Sequence, residues 1–189
     1  MKLLFFRPAV TALLPLLAAG CALFGTGYTE PNDFDLAAPS ATDVAPTTEP
    51  VRFGVFRNLS GSDRRFLVRL EGDRMQTDEY NRWLLVPELL LERRFRAELP
   101  LPETFAADTP EIKLDCAIYR FEFDRVRQQA VLELTLTART RGHDRHRQLR
   151  FEVPIDGDTP EAAVGAMSAA AARAATAARQ LVETAARAR

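Results

Sequence analysis

Cysteine and histidine are scarce in this 189-residue chain, with two of each, and their placement argues against metal and thiol chemistry. Neither Cys21 nor Cys116 has a metal-ligand partner at useful spacing. His143 and His146 flank Asp144, but Arg141, Arg145 and Arg147 surround them and oppose cation binding, so the stretch reads as a solvated hairpin tip. No glycine-rich loop follows a strand to cradle phosphate, and no serine lies in a nucleophile-elbow pattern. Asp115, Glu122 and Asp124 could in principle form an acid/base pair, although alternating exposed charges on a half-solvated sheet are the commoner explanation. We therefore assign no catalytic, cofactor-binding or metal-binding residue and read the protein as a non-enzyme. A formal net charge of −1 provides no strong field, which argues against nucleic acid as a partner. The apolar stretch from Ala9 to Ala19 falls short of the roughly 17–25 residues that cross a bilayer and is interrupted by Pro15.

That stretch follows positive charge at Lys2 and Arg7 and precedes small residues, which makes residues 1–20 a bacterial export signal. Cys21 comes directly after Leu17-Ala18-Ala19-Gly20, where a lipoprotein signal needs a thiol to accept a diacylglyceryl group. A plain secreted protein would need no cysteine there. At roughly 0.8 kcal/mol per buried methylene, two or three acyl chains would hold the protein on a membrane essentially permanently. Ala22 stands where Asp favours inner-membrane retention, so the expected address is the cell envelope, lipid-anchored on the periplasmic face of the outer membrane. Removing residues 1–20 takes Lys2 and Arg7 from the 25 basic residues and none of the 26 acidic ones, leaving a formal charge of −3. Lipidation of Cys21 would leave Cys116 as the one free thiol, with no intrachain disulfide and an expected role in packing.

From residue 21 to residue 50 the sequence is small and polar, with Pro31, Pro39, Pro46 and Pro50 and no helical or strand period. It reads as a lipidated Pro-rich tether, about 3.1 Å per residue when extended. Phe34-Asp35-Leu36 is its one apolar interruption and is expected to add a short edge strand to the domain at residues 51–189.

That domain is expected to be α+β, with a mostly antiparallel sheet and two helices packed on it. Phe53 and Val55, then Phe66, Val68 and Leu70, alternate with other residues on either side of the turn-rich Asn58-Leu59-Ser60-Gly61-Ser62-Asp63, predicting an N-terminal hairpin. Pro87-Glu88 opens a helix that runs to about Leu99 and is ended by Pro100 and Pro102. Leu84, Leu91, Phe95 and Leu99 fall on one side of it, Leu85 and Leu89 widen that face, and Arg96 intrudes. From Ile112 to Arg127 the pattern has period two but changes parity near Ile118-Tyr119, which predicts a bulge, a bend or a strand covered on both faces. Strands around Leu132–Arg139 and Gln148–Val153 complete a three-stranded meander, with connections at Gln128-Gln129 and Gly142-His143-Asp144. Thr159 and Pro160 then start a long Ala-rich C-terminal helix. Its stripe Val164, Met167, Ala171, Ala174, Ala178, Leu181 and Ala185 either lies on the protein's own sheet or in part faces another subunit. The arginines from Arg139 to Arg150 read as a solvated hairpin or, alternatively, as a contact for an acidic partner or lipid headgroups.

Arg69 on an early strand, Tyr80-Asn81-Arg82-Trp83 and Pro87 before the first helix, the lipobox at Cys21, Phe34-Asp35-Leu36 and the final Ala-rich helix together resemble the ABC-type transport auxiliary lipoprotein component family. The resemblance covers most of the mature chain, although the loop between the first two strands lacks the family's usual Pro-Tyr-Leu type text. It implies a noncatalytic, outer-membrane docking component of an intermembrane lipid transport system. The partners implied are the membrane, through the lipid anchor, and a periplasm-spanning protein carrying mammalian-cell-entry domains that works with an inner-membrane ATPase and permease. A homo-oligomeric ring is also implied. Tyr80, Trp83 and Arg69 are then candidate partner-interface residues, while Tyr80 and Trp83 could instead pack between the first helix and the sheet. The alternative class is an envelope lipoprotein that tethers or activates a cell-wall synthase or another envelope-spanning assembly. An envelope hydrolase is disfavoured by the missing nucleophile and metal patterns.

Overall fold

The computed structural model describes residues 30–38, 50–100 and 111–188, and every strand and helix among them belongs to the unit Pro31–Arg189. The expected signal peptide, Cys21 and most of the tether lie outside the described residues. The described elements follow in the order β1 (Asn32–Phe34), β2 (Val51–Asn58), β3 (Arg65–Arg69), β4 (Met75–Trp83), α1 (Pro87–Glu98), β5 (Ile112–Asp124), β6 (Gln129–Arg139), β7 (Asp144–Pro154) and α2 (Pro160–Ala186).

The meander forms as its alternation predicts: β6 pairs antiparallel with β5 and with β7 along nearly its whole length. The change of parity at Ile118-Tyr119 is a bulge, because Ile118 faces Leu134 and Arg120 faces Glu133, leaving Tyr119 as the extra residue. An edge strand forms earlier than expected, at Asn32–Phe34 parallel to Asn81–Trp83, so that only Phe34 of the expected Phe34-Asp35-Leu36 belongs to it and Leu36 is instead buried beyond its end.

The expected mostly antiparallel sheet is instead mixed, with β1–β4, β2–β5 and β3–β5 all parallel. The N-terminal hairpin does not form. β2 runs along the first half of β5 and β3 along its second half, in the same direction, so the chain advances through residues 59–64 without reversing. That loop does carry turn chemistry: Asn58 Oδ1 accepts from Ser60 N at 3.1 Å and from Ser60 Oγ at 2.6 Å, and Asp63 Oδ1 accepts from Arg65 N at 2.6 Å. These bonds shape a local bend and leave strand direction to be set by pairing with β5. β3 makes its hairpin with β4, through Glu71-Gly72-Asp73, where Gly72 and Asp73 hold φ of 68° and 60°. A left-handed pair of this kind is what a tight hairpin asks for.

Both helices pack on one face. α2 covers β5, β6 and β7, while α1 lies on β2 and against α2. Thr159 Oγ1 accepts from Ala162 N at 3.2 Å and Pro160 occupies the first turn, as their order in the sequence predicts. Met167, Ala170, Ala171, Ala174, Ala175 and Ala178 have no exposed surface, so the Ala-rich stripe is spent on the protein's own core. The face of α1 differs from expectation. Leu90, Leu91, Phe95 and most of Arg94 are buried, whereas Leu84 precedes the helix and is exposed, as is Leu89. Arg96 does not intrude, since it lies over the Phe53 ring at 4.5 Å and pairs with Glu92.

A candidate docking surface

An N-terminal clamp and an uncovered sheet face are the two features that bear on function. The clamp starts at β1 and crosses to the helices. Asp33 pairs with Arg82 at 2.8 Å and Arg64 at 3.0 Å, and the Arg82 hydrogen bond is the chief reason its carboxyl lies below the ordinary value. Phe34 packs on Phe66 with ring centroids 5.4 Å apart, and its carbonyl accepts from Leu84 N at 2.7 Å. Asp35 pairs with Arg93, Leu36 is buried, Ala37 N donates to Ser168 Oγ at 3.0 Å, and Arg94 donates to the Ala37 carbonyl. Residues 32–37 therefore hold β4, α1 and α2 at once.

The second feature is the side of β2, β5, β6 and β7 turned away from the helices, which no element among the described residues covers. A shallow groove of about 270 Å³ lies there, lined among others by Val55, Arg57, Asp115, Tyr119, Thr137 and Arg139. Asp115 organises it. Its carboxylate accepts from Val55 N at 2.7 Å and pairs with Arg139 at 3.2 Å and Lys113 at 3.6 Å. Gly54 makes this approach feasible, because a Cβ there would stand 1.9 Å from Asp115 Oδ1. Thr137 Oγ1 and His146 Nδ1 are 2.9 Å apart on the same face. Arg57, Lys113 and Arg139 line the groove with Asp115, and Arg139 also reaches Asp144 at 3.7 Å, so three cations meet two carboxylates there.

The three residues expected at a partner interface do not come together in one way. Trp83 is 1% exposed and stacks among Phe66, Phe121 and Phe123, so packing is the role the structure gives it. Arg69 binds Glu122 at 2.8 Å, with Arg120 donating to the same carboxylate. Burial by itself would push the Glu122 carboxyl up, but these guanidinium hydrogen bonds outweigh it and hold the group below its ordinary value. Tyr80 is 55% exposed on a broad bulge of β4, held by Asp78 Oδ1, which accepts from Tyr80 N at 2.8 Å and Asn81 N at 3.1 Å.

The three carboxylates weighed for acid/base work are each engaged elsewhere. Asp115 serves a bulge in β2, where the pairing with β5 shifts between Phe53 and Phe56, and Glu122 serves the arginines, while Asp124 Oδ1 accepts from Val126 N and Arg127 N to close the β5–β6 turn. Among the described residues no group of His, Cys, Asp and Glu is placed to hold a metal ion. Sequence reasoning assigned no role to Gly54, Arg57 or the clamp's Arg64, Arg93 and Arg94, and it named Arg82 only within the Tyr80-Asn81-Arg82-Trp83 stretch. Gly54 between Phe53 and Val55 was the available signal, since a glycine inside a strand often marks a bulge or a close approach.

The fold recurs in solved structures. An uncharacterized protein superposes with a TM-score of 0.64 at 12% identity, over 80% of this chain and 98% of that chain. A Xanthomonas campestris protein of the DUF330 designation gives 0.61 at 17% identity, over 77% and 91% respectively. At these identities the likeness defines a shared α+β architecture and nothing narrower. A comparison with curated proteins returns no match. Residues 63–178, more than half of the chain, match the ABC-type transport auxiliary lipoprotein component family, and the chain belongs to that family. The resemblance drawn from Arg69, Tyr80 to Trp83 and Pro87 is thus shown, and the protein is an auxiliary component that works with a transport-system partner.

Proposed function

We propose that the protein is a lipoprotein anchored at Cys21 to the periplasmic side of the outer membrane, where it serves as a noncatalytic docking component of an intermembrane lipid transport system. Its folded domain receives a protein with mammalian-cell-entry domains on the uncovered face of β2, β5 and β6. Family membership supports the link to ABC-type transport. The observation that carries the docking reading is the groove at Asp115, where Arg57, Lys113 and Arg139 outnumber the carboxylates of Asp115 and Asp144 on a face that neither helix covers. Such a surface favours a partner that is acidic or rich in hydrogen-bond acceptors. A ring of copies would repeat this face around the conduit.

Crosslinking in cells, followed by purification of the natively lipidated protein, tests the reading. Recovery of a mammalian-cell-entry protein with its permease and ATPase is expected. Recovery of cell-wall synthases in their place would contradict it.

A further inference from the structure

β7 ends the sheet opposite β1, and among the described residues nothing pairs with its outer edge. It is 11 residues long, its register with β6 runs from Asp144 to Pro154 without a shift, and proline enters only at its last position. Natural sheets usually blunt so long an edge with a bulge, an internal proline or a covering segment. The ladder shows which groups the edge offers. Ile155 N donates to the Gln128 carbonyl at 2.8 Å and Thr140 N to the His143 carbonyl at 3.0 Å, so every second residue from His143 to Ile155 bonds to β6. Asp144, His146, Gln148, Arg150 and Glu152 therefore turn their N–H and C=O groups to the open side.

Charge can also guard such an edge, but here it is unevenly placed. Residues 140–147 carry Arg141, Arg145 and Arg147 against Asp144, a net of +2, whereas residues 151–158 carry Glu152, Asp156 and Asp158, a net of −3. Arg141, Arg145, Asp156 and Asp158 make no ion pair among the described residues. An antiparallel copy of the same strand lays the basic end on the acidic end twice. The strand's midpoint is Leu149, and pairing over the full length sets Leu149 opposite Leu149, Gln148 opposite Arg150, His146 opposite Glu152 and Arg147 opposite Phe151. Arg141 of each copy then falls beside the Asp156–Asp158 stretch of the other. Slipping by two residues, the smallest step that keeps the same groups on the edge, sets Asp144 opposite Glu152 in one direction and Arg150 opposite Arg150 in the other. Leu149 and Phe151, both half-buried, lose further surface to such a seam.

We infer that the protein pairs with a second copy of itself through antiparallel β7 strands, across a two-fold axis at Leu149. Directly opposed residues share a face of a sheet, so both copies carry their helices on one side and their uncovered faces on the other. The two grooves at Asp115 then open in the same direction. The contact is isologous and closes on itself, so a larger ring would need a second interface. The pairing depends neither on Cys21 nor on which protein docks at the groove.

Charge exchange in the full chain, as it is isolated from cells, tests the pairing. One variant carries Arg141→Asp with Arg145→Asp, the other Asp156→Arg with Asp158→Arg, and all four positions are exposed. Each variant alone should self-associate about ten-fold or more weakly than the parent in sedimentation, because like charges meet at both ends of the seam. Mixing the two, with different tags for co-capture, should restore pairing. Introduced cysteines test the register. Across the seam the two Leu149 residues form a non-hydrogen-bonded pair, about 4.5 Å apart at Cα and within disulfide reach. Leu149→Cys should oxidise to a linked dimer, and His146→Cys should link to Glu152→Cys and not to itself, with packing untouched because both positions are exposed. Cys116 is buried with its thiol pushed up to about 12, and the parent without an added thiol gives the background. A monomeric parent with no link at 149 or between 146 and 152 overturns the inference. So does a dimer that both charge variants leave intact, a mixture that fails to restore pairing, or a Phe151→Cys self-link in place of the one at 149.

Discussion

Arg69 and Glu122, 53 residues apart in sequence, join the β3–β4 hairpin to the central strand through an Nε–Oε1 contact of 2.8 Å. Glu122 is 3% exposed and takes further hydrogen bonds from Arg120, so the carboxylate is both desolvated and well paired. A carboxyl held low in the folded state contributes stability above its ordinary value, 4.5, and loses that contribution as pH falls below 4.5 through the lower folded value. Glu122→Gln is expected to cost about 2 kcal/mol at neutral pH, the scale of a hydrogen bond to a charged group. It should also flatten the fall of Tm below pH 4.5. Tm measured against pH for both proteins checks this, and an acid limb of unchanged steepness would assign the pH dependence to other groups.

Gly54 should resist enlargement for a reason that a second substitution can expose. In Gly54→Ala the added methyl meets Asp115 Oδ1 at 1.9 Å and Lys113 Cε at 2.5 Å, so the β2 bulge or the Asp115 side chain must move. A loss of about 1–3 kcal/mol is expected, as for other overpacked sites. Removing the obstructing carboxylate with Asp115→Ala should make the Gly54→Ala change cheaper in that background than alone. Denaturant unfolding of the four proteins in the cycle measures the difference.

Leu36 locks the clamp between the helices. Leu36→Ala removes a buried side chain whose loss costs about 2–5 kcal/mol at fully buried sites, and here the cost should fall on the local opening of residues 32–37. Hydrogen exchange is expected to speed up at Leu84 N, which donates to Phe34, while the β5–β6 ladder keeps its protection. Uniform acceleration across the sheet would mean that the clamp is part of the global core.

Cys116, 2% exposed on β5, should behave as a packing residue. Burial pushes its thiol up to about 12, so almost no thiolate exists at neutral pH. Iodoacetamide should modify it only after unfolding, and native-state modification followed by mass spectrometry would contradict that.

The parts of the fold that sequence reasoning recovered are those whose signal is local. The β5–β7 meander shows its alternation outright, and Thr159-Pro160 and Pro87 mark helix starts through the chemistry of the first turn. The hairpin wrongly expected across residues 58–63 shows the limit. Its asparagine, serine and aspartate side chains bend the chain as they should, but whether the next strand returns or continues is decided by pairing with β5, about fifty residues away in sequence. β4 escaped notice because Gln76, Asp78, Glu79 and Asn81 give it no apolar alternation, and the Asp78 bulge breaks what period remains. Tyr80 and Trp83 stood out by residue type, yet type alone did not separate the exposed ring from the buried one. Arg94 and Arg96 exchanged roles for a similar reason: the carbonyl of Ala37 that draws Arg94 inward comes from a distant segment.

Docking on the uncovered sheet face is tested most directly by photo-crosslinking in cells that make the natively lipidated protein. A photoreactive residue at Arg57 or Tyr119 should capture a mammalian-cell-entry protein, and one at Thr176, on the exposed side of α2, should not. Capture from position 176 with silence at 57 and 119 would contradict docking on that face.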